Sequence, residues 1–166
     1  MPDTEVTKPD RVILLTGASG YVGGRLAQRL RGTGLRVRCM ARNPARITAL
    51  SGDGLEPVRG DVLEPDSLAP ALEGVDTAYY LIHALTAAGD FETVELAGAR
   101  NFAEAAKAAG VRRIVYLGGL GDTSQVESPH MRARHAVGEE LRASGVPTLE
   151  FRASIIIGAG SLSFEL

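Results

Sequence analysis

Arg11-Val-Ile-Leu-Leu-Thr16 runs directly into Gly17-Ala-Ser-Gly-Tyr-Val-Gly23, and from Tyr21 the apolar spacing changes. The branched apolar run predicts a strand buried on both faces. Beyond it Val22, Leu26 and Leu30, with Ala27, recur at helical spacing until Gly32-Thr-Gly34 stops the segment. A strand, a glycine turn and a helix in direct succession are the opening unit of an α/β fold.

The same rhythm continues along the chain. Residues 35–41, 55–59, 75–82, 112–117 and 147–152 predict five further strands. A short helix is expected over residues 43–50, opened by Asn43-Pro44, and another over 65–73; the longest spans 91–109, and one more covers 130–144. On the longest helix Phe91, Val94, Gly98, Phe102 and Ala105 share a stripe, where Gly98 would let the helix lie close to the sheet. Strands alternating with helices imply right-handed crossovers, hence a doubly wound parallel sheet of the Rossmann type, ordered 3-2-1-4-5-6. Ligand is expected at the C-terminal edge of the strands, where the order reverses. The twenty glycines fall singly at the ends of apolar segments, as loop punctuation.

Residues 1–10 are polar with two prolines and read as a disordered tail. Residues 11–160 form the expected nucleotide-binding domain. Residues 161–166 read as the start of an incomplete C-terminal segment, with the substrate part missing or minimal and a bare sheet edge that favours a homodimer. A net charge of −2 argues against a nucleic-acid or anionic-membrane partner, and no apolar run is long enough to span a bilayer. The single cysteine, Cys39, cannot form an internal disulfide, and the three histidines lack ligand spacing, so no metal is expected. A reducing cytoplasm is the simplest home.

Placed between a buried strand and a helix, Gly17, Gly20 and Gly23 allow a tight turn, a close backbone approach to a pyrophosphate and tight helix–strand packing. The first amides of the helix then face the phosphates. Ser19, Tyr21 and Val22 lie in the same turn, and Thr16, Ser19 and Tyr21 are candidates for side-chain contacts. The residue that discriminates between dinucleotides usually stands about twenty positions further on. Here the second strand ends in Ala41-Arg42-Asn43, with no acid to bond a ribose hydroxyl. Arg42, assisted by Arg38 or Arg46, suits the 2′-phosphate of NADP(H), with NAD(H) as the alternative if Arg42 only stacks or faces solvent.

Thr16-Gly-Ala-Ser-Gly-Tyr-Val-Gly23, Val37-Arg-Cys-Met-Ala-Arg-Asn-Pro44, Gly60-Asp-Val62, Gly110-Val-Arg-Arg-Ile-Val-Tyr-Leu117 and Ser144-Gly-Val-Pro147 occur in an order that resembles the atypical short-chain dehydrogenase/reductases, in their NmrA-like, NAD(P)H-binding branch. The resemblance implies that Asp61 and Val62 sit by the adenine, with a turn or helix cap as the alternative role of Asp61. It also implies that Leu81, Ile82 and His83 end a strand beside the cofactor, and that Gly118 and Gly119 end the next strand facing the nicotinamide.

Active members of that superfamily use a Tyr-x-x-x-Lys pair, a serine and an asparagine. In this chain the Tyr position falls on His130, the Lys position on Arg134, the Ser position on Gly118 or Gly119 and the Asn position on Glu95, while Asn101 matches a structural asparagine. His130 could replace the tyrosine as proton donor with Arg134 fixing the ribose or substrate; the alternative is that His130 and His135 are solvated helix residues. His83 reads equally as a strand-end residue bonding its neighbours, Glu95 as an exposed helix residue, and Arg112, Arg113, Glu139 and Glu140 as solvated charges. Three functions stay open: an oxidoreductase domain, a non-catalytic NAD(P)H redox sensor, and a structural domain whose glycine turn holds only an anion.

Overall fold

The computed structural model describes residues 11–83, 91–121 and 128–161. The expectations for residues 1–10 and 162–166 lie outside them. The strands are β1 (Val12–Leu15), β2 (Arg36–Ala41), β3 (Leu55–Arg59), β4 (Val75–Tyr80), β5 (Arg113–Gly119) and β6 (Thr148–Ala153). The helices are α1 (Tyr21–Leu30), α2 (Leu68–Leu72), α3 (Phe91–Ala108) and α4 (Pro129–Ala143), with 3₁₀ segments at Pro44–Leu50 and Pro65–Ser67. All strand pairs are parallel and the order is β3-β2-β1-β4-β5-β6, as expected.

The side chains of β1 show how the layers form. Alternate residues of a strand point to opposite faces, so Val12 and Leu14 enter one core with Phe102 of α3, Tyr80, Tyr116 and Leu141 of α4. Ile13 and Leu15 enter the other, with Ala27 of α1, Val37, Cys39, Ile47 and Leu50. Burial pushes the Cys39 thiol up to about 11, so it stays protonated inside the second core. Over β6 this second face is open: Leu149 is 49% and Phe151 56% exposed, and the apolar Ile155 and Ile157 beyond are 72% and 65% exposed.

Two local expectations are corrected by packing. The buried stripe of α3 runs through Glu95, Gly98, Ala99, Phe102, Ala103 and Ala106, while Phe91, Val94 and Ala105 are half-buried. The helix packs against both the sheet and α4, which widens and rotates its inner face. A Cβ on Gly98 would meet Val62 Cγ2 at 2.8 Å and Tyr80 Oη of β4 at 3.5 Å, so this glycine makes room for the loop after β3 as well as for the sheet. β5 also continues past Leu117, where the residue pattern ended it, through Gly118 and Gly119, which end the strand as the resemblance implied and pair with Arg152 and Ala153 of β6.

Candidate cofactor site

At the end of β1, Gly17 takes φ +64°, and a Cβ there would stand 2.8 Å from the Leu81 carbonyl oxygen. A side chain is excluded twice, by conformation and by space. The Gly20 amide donates to the Gly17 carbonyl at 2.9 Å, closing the turn, and a Cβ on Gly23 would overlap that same carbonyl. α1 therefore starts directly against the strand. No side chain caps its N-terminus at Gly20 and no acid stands in its first turn, so the amides of Tyr21, Val22 and Gly23 keep the partial positive charge of an uncapped helix start. This fits a pyrophosphate.

Thr16 is buried and has a structural role. Its hydroxyl donates to Tyr79 O and accepts from Leu81 N–H, both at 2.9 Å, which ties the ends of β1 and β4 together beneath the turn. Tyr21 is likewise engaged: its phenol fills the space beside Gly158, and the Arg25 guanidinium lies 5.0 Å from its ring while donating to Ala159 O. Ser19 is exposed and lines a cleft of about 770 Å³ between α1 and the Pro44–Leu50 segment, with Arg25, Arg29 and Arg46.

Arg42, at the end of β2, is exposed and makes no side-chain bond among the described residues. Arg38 is spent elsewhere, donating to the carbonyls of Ala71 and Glu73 at 3.0 and 2.6 Å, so it is no helper of Arg42. Strand alternation sends the side chain of residue 38 to the α2 side. After β3 one Asp61 carboxylate oxygen accepts from Leu63 N–H at 3.0 Å. That is the turn-capping role held open for Asp61. Val62 is buried, and Asn101 of α3 donates to its carbonyl at 2.9 Å, a structural clamp that holds this loop against the sheet edge.

β4 ends at Tyr80, short of the expected residue 82, so Leu81, Ile82 and His83 follow the strand and do not end it; they are half-buried at the C-terminal edge. Here the structure brings together residues that the sequence left separate. Glu95 is buried rather than exposed, and its Oε1 lies 2.7 Å from His83 Nδ1. The His83 and His130 rings stand 4.6 Å apart at 51°. His130 is half-buried in the first turn of α4, and burial, the His83 ring and Arg134 hold it below the usual imidazole range. Arg134 donates to the Leu117 carbonyl and lies over the Tyr116 ring, whose phenol donates to Arg134 O. Burial raises Tyr116 to about 12, so it stays neutral as that donor.

The helical spacing of Glu95 and its pairing with a residue twelve positions away carry no sequence signal, because the contact exists only once α3 lies against β4. His135 is corrected as well: it is buried in α4, not solvated, and neither ring nitrogen has a hydrogen-bond partner among the described residues. Gly118 does not face open space. A Cβ there would enter the Glu150 carboxylate on the α4 side of the sheet. Among the described residues no group of three or more His, Cys, Asp or Glu side chains is arranged to hold a metal ion, and no helix is long and apolar enough to cross a membrane.

Residues 17–149 match the NAD(P)H-binding family. The chain is 36% identical over 137 residues to the (4-alkanoyl-5-oxo-2,5-dihydrofuran-3-yl)methyl phosphate reductase of Streptomyces griseus, covering 82% of this chain and 45% of the relative. It is 30% identical over 139 residues to the photosystem II assembly factor Ycf39 of Cyanophora paradoxa, covering 81% and 42%. It thus spans less than half the length of these relatives. The Escherichia coli NADPH-dependent quinone oxidoreductase QOR2, solved with NADPH, superposes with a TM-score of 0.71 at 25% identity, over 85% of this chain and 48% of that one. The glycine turn, the strand order and the matched span agree, and the chain belongs to the NAD(P)H-binding family, with the Rossmann fold of short-chain dehydrogenase/reductase-like reductases and epimerases.

Proposed function

We propose that this chain is the NADP(H)-binding part of an oxidoreductase in the NmrA-like branch of the atypical short-chain dehydrogenase/reductases. The observation that carries the reading is the uncapped start of α1 beneath the glycine turn, with the unpartnered Arg42 at the end of the neighbouring strand. The first-turn amides would hold the pyrophosphate and Arg42 the 2′-phosphate, with Arg46 and Ser19 at the rim of the adjoining cleft. Asp61 and Val62 would border the adenine; Leu81, Ile82 and His83 the middle of the dinucleotide. When bound, the cofactor supplies hydride at the C-terminal edge of β4 and β5, where His130 and Arg134 take the places of the usual tyrosine and lysine.

Arg42→Ala is expected to weaken NADPH binding at least tenfold and to leave NADH binding unchanged, read by fluorescence titration. A charged hydrogen bond is worth about 1.5–3 kcal/mol, enough for that loss. Equal NADPH affinity in the variant would return NAD(H) as the cofactor.

A second reading, a non-catalytic redox sensor, is favoured by Gly118, whose space is occupied by the Glu150 carboxylate so that no hydroxyl replaces the missing serine. NADPH that binds but is oxidised by no aldehyde, ketone or quinone would support it. The open apolar face at β6 supports the homodimer. Phe151→Asp is expected to shift sedimentation from dimer to monomer, and a wild-type monomer at all concentrations would refute it.

A further inference from the structure

The Glu95 side chain is 6% exposed. A buried carboxylate costs several kcal/mol unless it is paired, and one partner here is His83, 2.7 Å away at Nδ1. An ionised carboxylate only accepts, so Nδ1–H donates, which fixes the tautomer and plane of the ring. The ring so held lies against His130, at a centroid separation of 4.6 Å. Three elements supply the cluster: the end of β4, α3 and the first turn of α4. An apolar pair would fill the same space without the cost of bringing two imidazoles together, and the cluster sits two residues beyond Leu81, whose carbonyl abuts Gly17.

We propose that Glu95, His83 and His130 form one linked acid, in which His130 delivers a proton to the oxygen of an aldehyde or ketone acceptor while Glu95, through His83, positions it. This rests on the NADP(H) reading, because the hydride comes from a bound dihydronicotinamide. The hydride and its electron pair form the new C–H bond, and the carbonyl π pair moves to oxygen. The His130 N–H bond breaks as the O–H bond forms, leaving its electrons on nitrogen and the imidazole neutral. The acceptor gains the two electrons that the dihydronicotinamide loses. A carbonyl oxygen is what makes an acid necessary; an acceptor that is already a carbocation takes hydride alone.

Among the described residues, the groups that act on His130 are His83 from the end of β4, Glu95 from α3 and Arg134 from its own helix, with the neutral Tyr116 of β5 under Arg134. Burial, His83 and Arg134 lower it, and Glu95 raises it. An acid that must be protonated works below its pKa and fails as pH rises through it. Glu95→Gln is therefore expected to move the alkaline limb of kcat/KM down, and His83→Asn to move it up by more, His83 being the stronger of the two influences. The His130 resonance in an NMR titration of the cofactor-free protein should move in the same two directions. Lost packing does not produce opposite shifts, and Glu95→Asp, which keeps the charge, should restore part of the first.

His130→Gln is expected to lower kcat/KM for aldehydes and ketones at least a hundredfold, with NADPH affinity held within twofold. Failure of the wild-type protein to bind NADPH would sink the NADP(H) reading and the delivery step with it, while the NMR titration would still show whether the three residues are linked. NADPH binding with no carbonyl reduction, with reduction indifferent to His130→Gln, or with turnover confined to carbocationic dyes would overturn the linked acid alone. So would a His130 titration that neither Glu95→Gln nor His83→Asn moves.

Discussion

Alanine at Gly23 is expected to abolish measurable NADPH binding and to lower the melting temperature by several degrees. The added Cβ would overlap the Gly17 carbonyl oxygen and stand 2.8 Å from its carbon and 3.1 Å from Ala18 Cα. These are backbone atoms, and no rotamer change relieves them. α1 must shift away from β1, and over-packing of this kind costs about 1–3 kcal/mol. At about 2–4 °C per kcal/mol for a domain of this size, that is visible in a thermal melt. Binding suffers more than stability because the amides of Tyr21 and Val22 move with the helix. Gly24→Ala is the control: its Cβ would meet only Ala18 O, at 3.4 Å, and alanine is favoured over glycine in a helix by about 1 kcal/mol. This variant should bind NADPH and melt no lower than wild type. Wild-type NADPH affinity in Gly23→Ala would refute the phosphate role of the turn.

Gly118→Ser, which returns a serine to the end of the fifth strand, is expected to destabilise the protein and to add no activity. The new Cβ would enter the Glu150 carboxylate, whose Oε2 is 2.6 Å from Arg142 Nη1 and whose Oε1 is 3.2 Å from Arg152 Nε. The carboxylate can move only by leaving those bonds, each worth about 1.5–3 kcal/mol as a charged hydrogen bond. With Glu150→Ala in the same chain, the clash disappears, so the double variant should lose less stability than the sum of the two singles. Additive losses would show that the serine is tolerated without displacing Glu150. The same group gives a pH dependence. Burial pushes Glu150 up, but the hydrogen bonds and charges of Arg142 and Arg152 outweigh it and hold the carboxyl below its ordinary value. A depressed carboxyl stabilises the fold above its unfolded pKa and loses that contribution as pH falls through the folded one. Glu150→Gln should therefore flatten the acid side of the stability curve below about pH 4.5. An unchanged curve would mean that the pair contributes nothing.

Features that depend on neighbours along the chain were legible. The branched apolar run that became β1 and the switch to helical spacing at Tyr21 follow from local geometry, and the alternation of strands with helices led to the strand order. The need for glycine at positions 17 and 23 is legible for the same reason, since a strand that turns straight into a helix leaves no room for Cβ atoms. Periodicity held only in part, at Gly98 and Phe102, where one helix serves two partners. α3 meets both the sheet and α4, so its buried face turned toward Glu95 and Ala99 and away from Phe91 and Val94.

The sequence by itself determined the architecture and the place of the glycine turn, because hydrophobic period, glycine conformation and crossover handedness act over a few residues and leave little choice. Only the tertiary structure decided which charges are free. Arg38 lies on β2 and Arg42 just past its end, and the two look alike in sequence, yet one is bound to the carbonyls of Ala71 and Glu73 and the other faces open solvent. Glu95, His83 and His130 belong to three separate elements and become one cluster through the docking of α3 and α4. Burial and charge pairing are set by distance in space, and that distance is fixed only when the layers close.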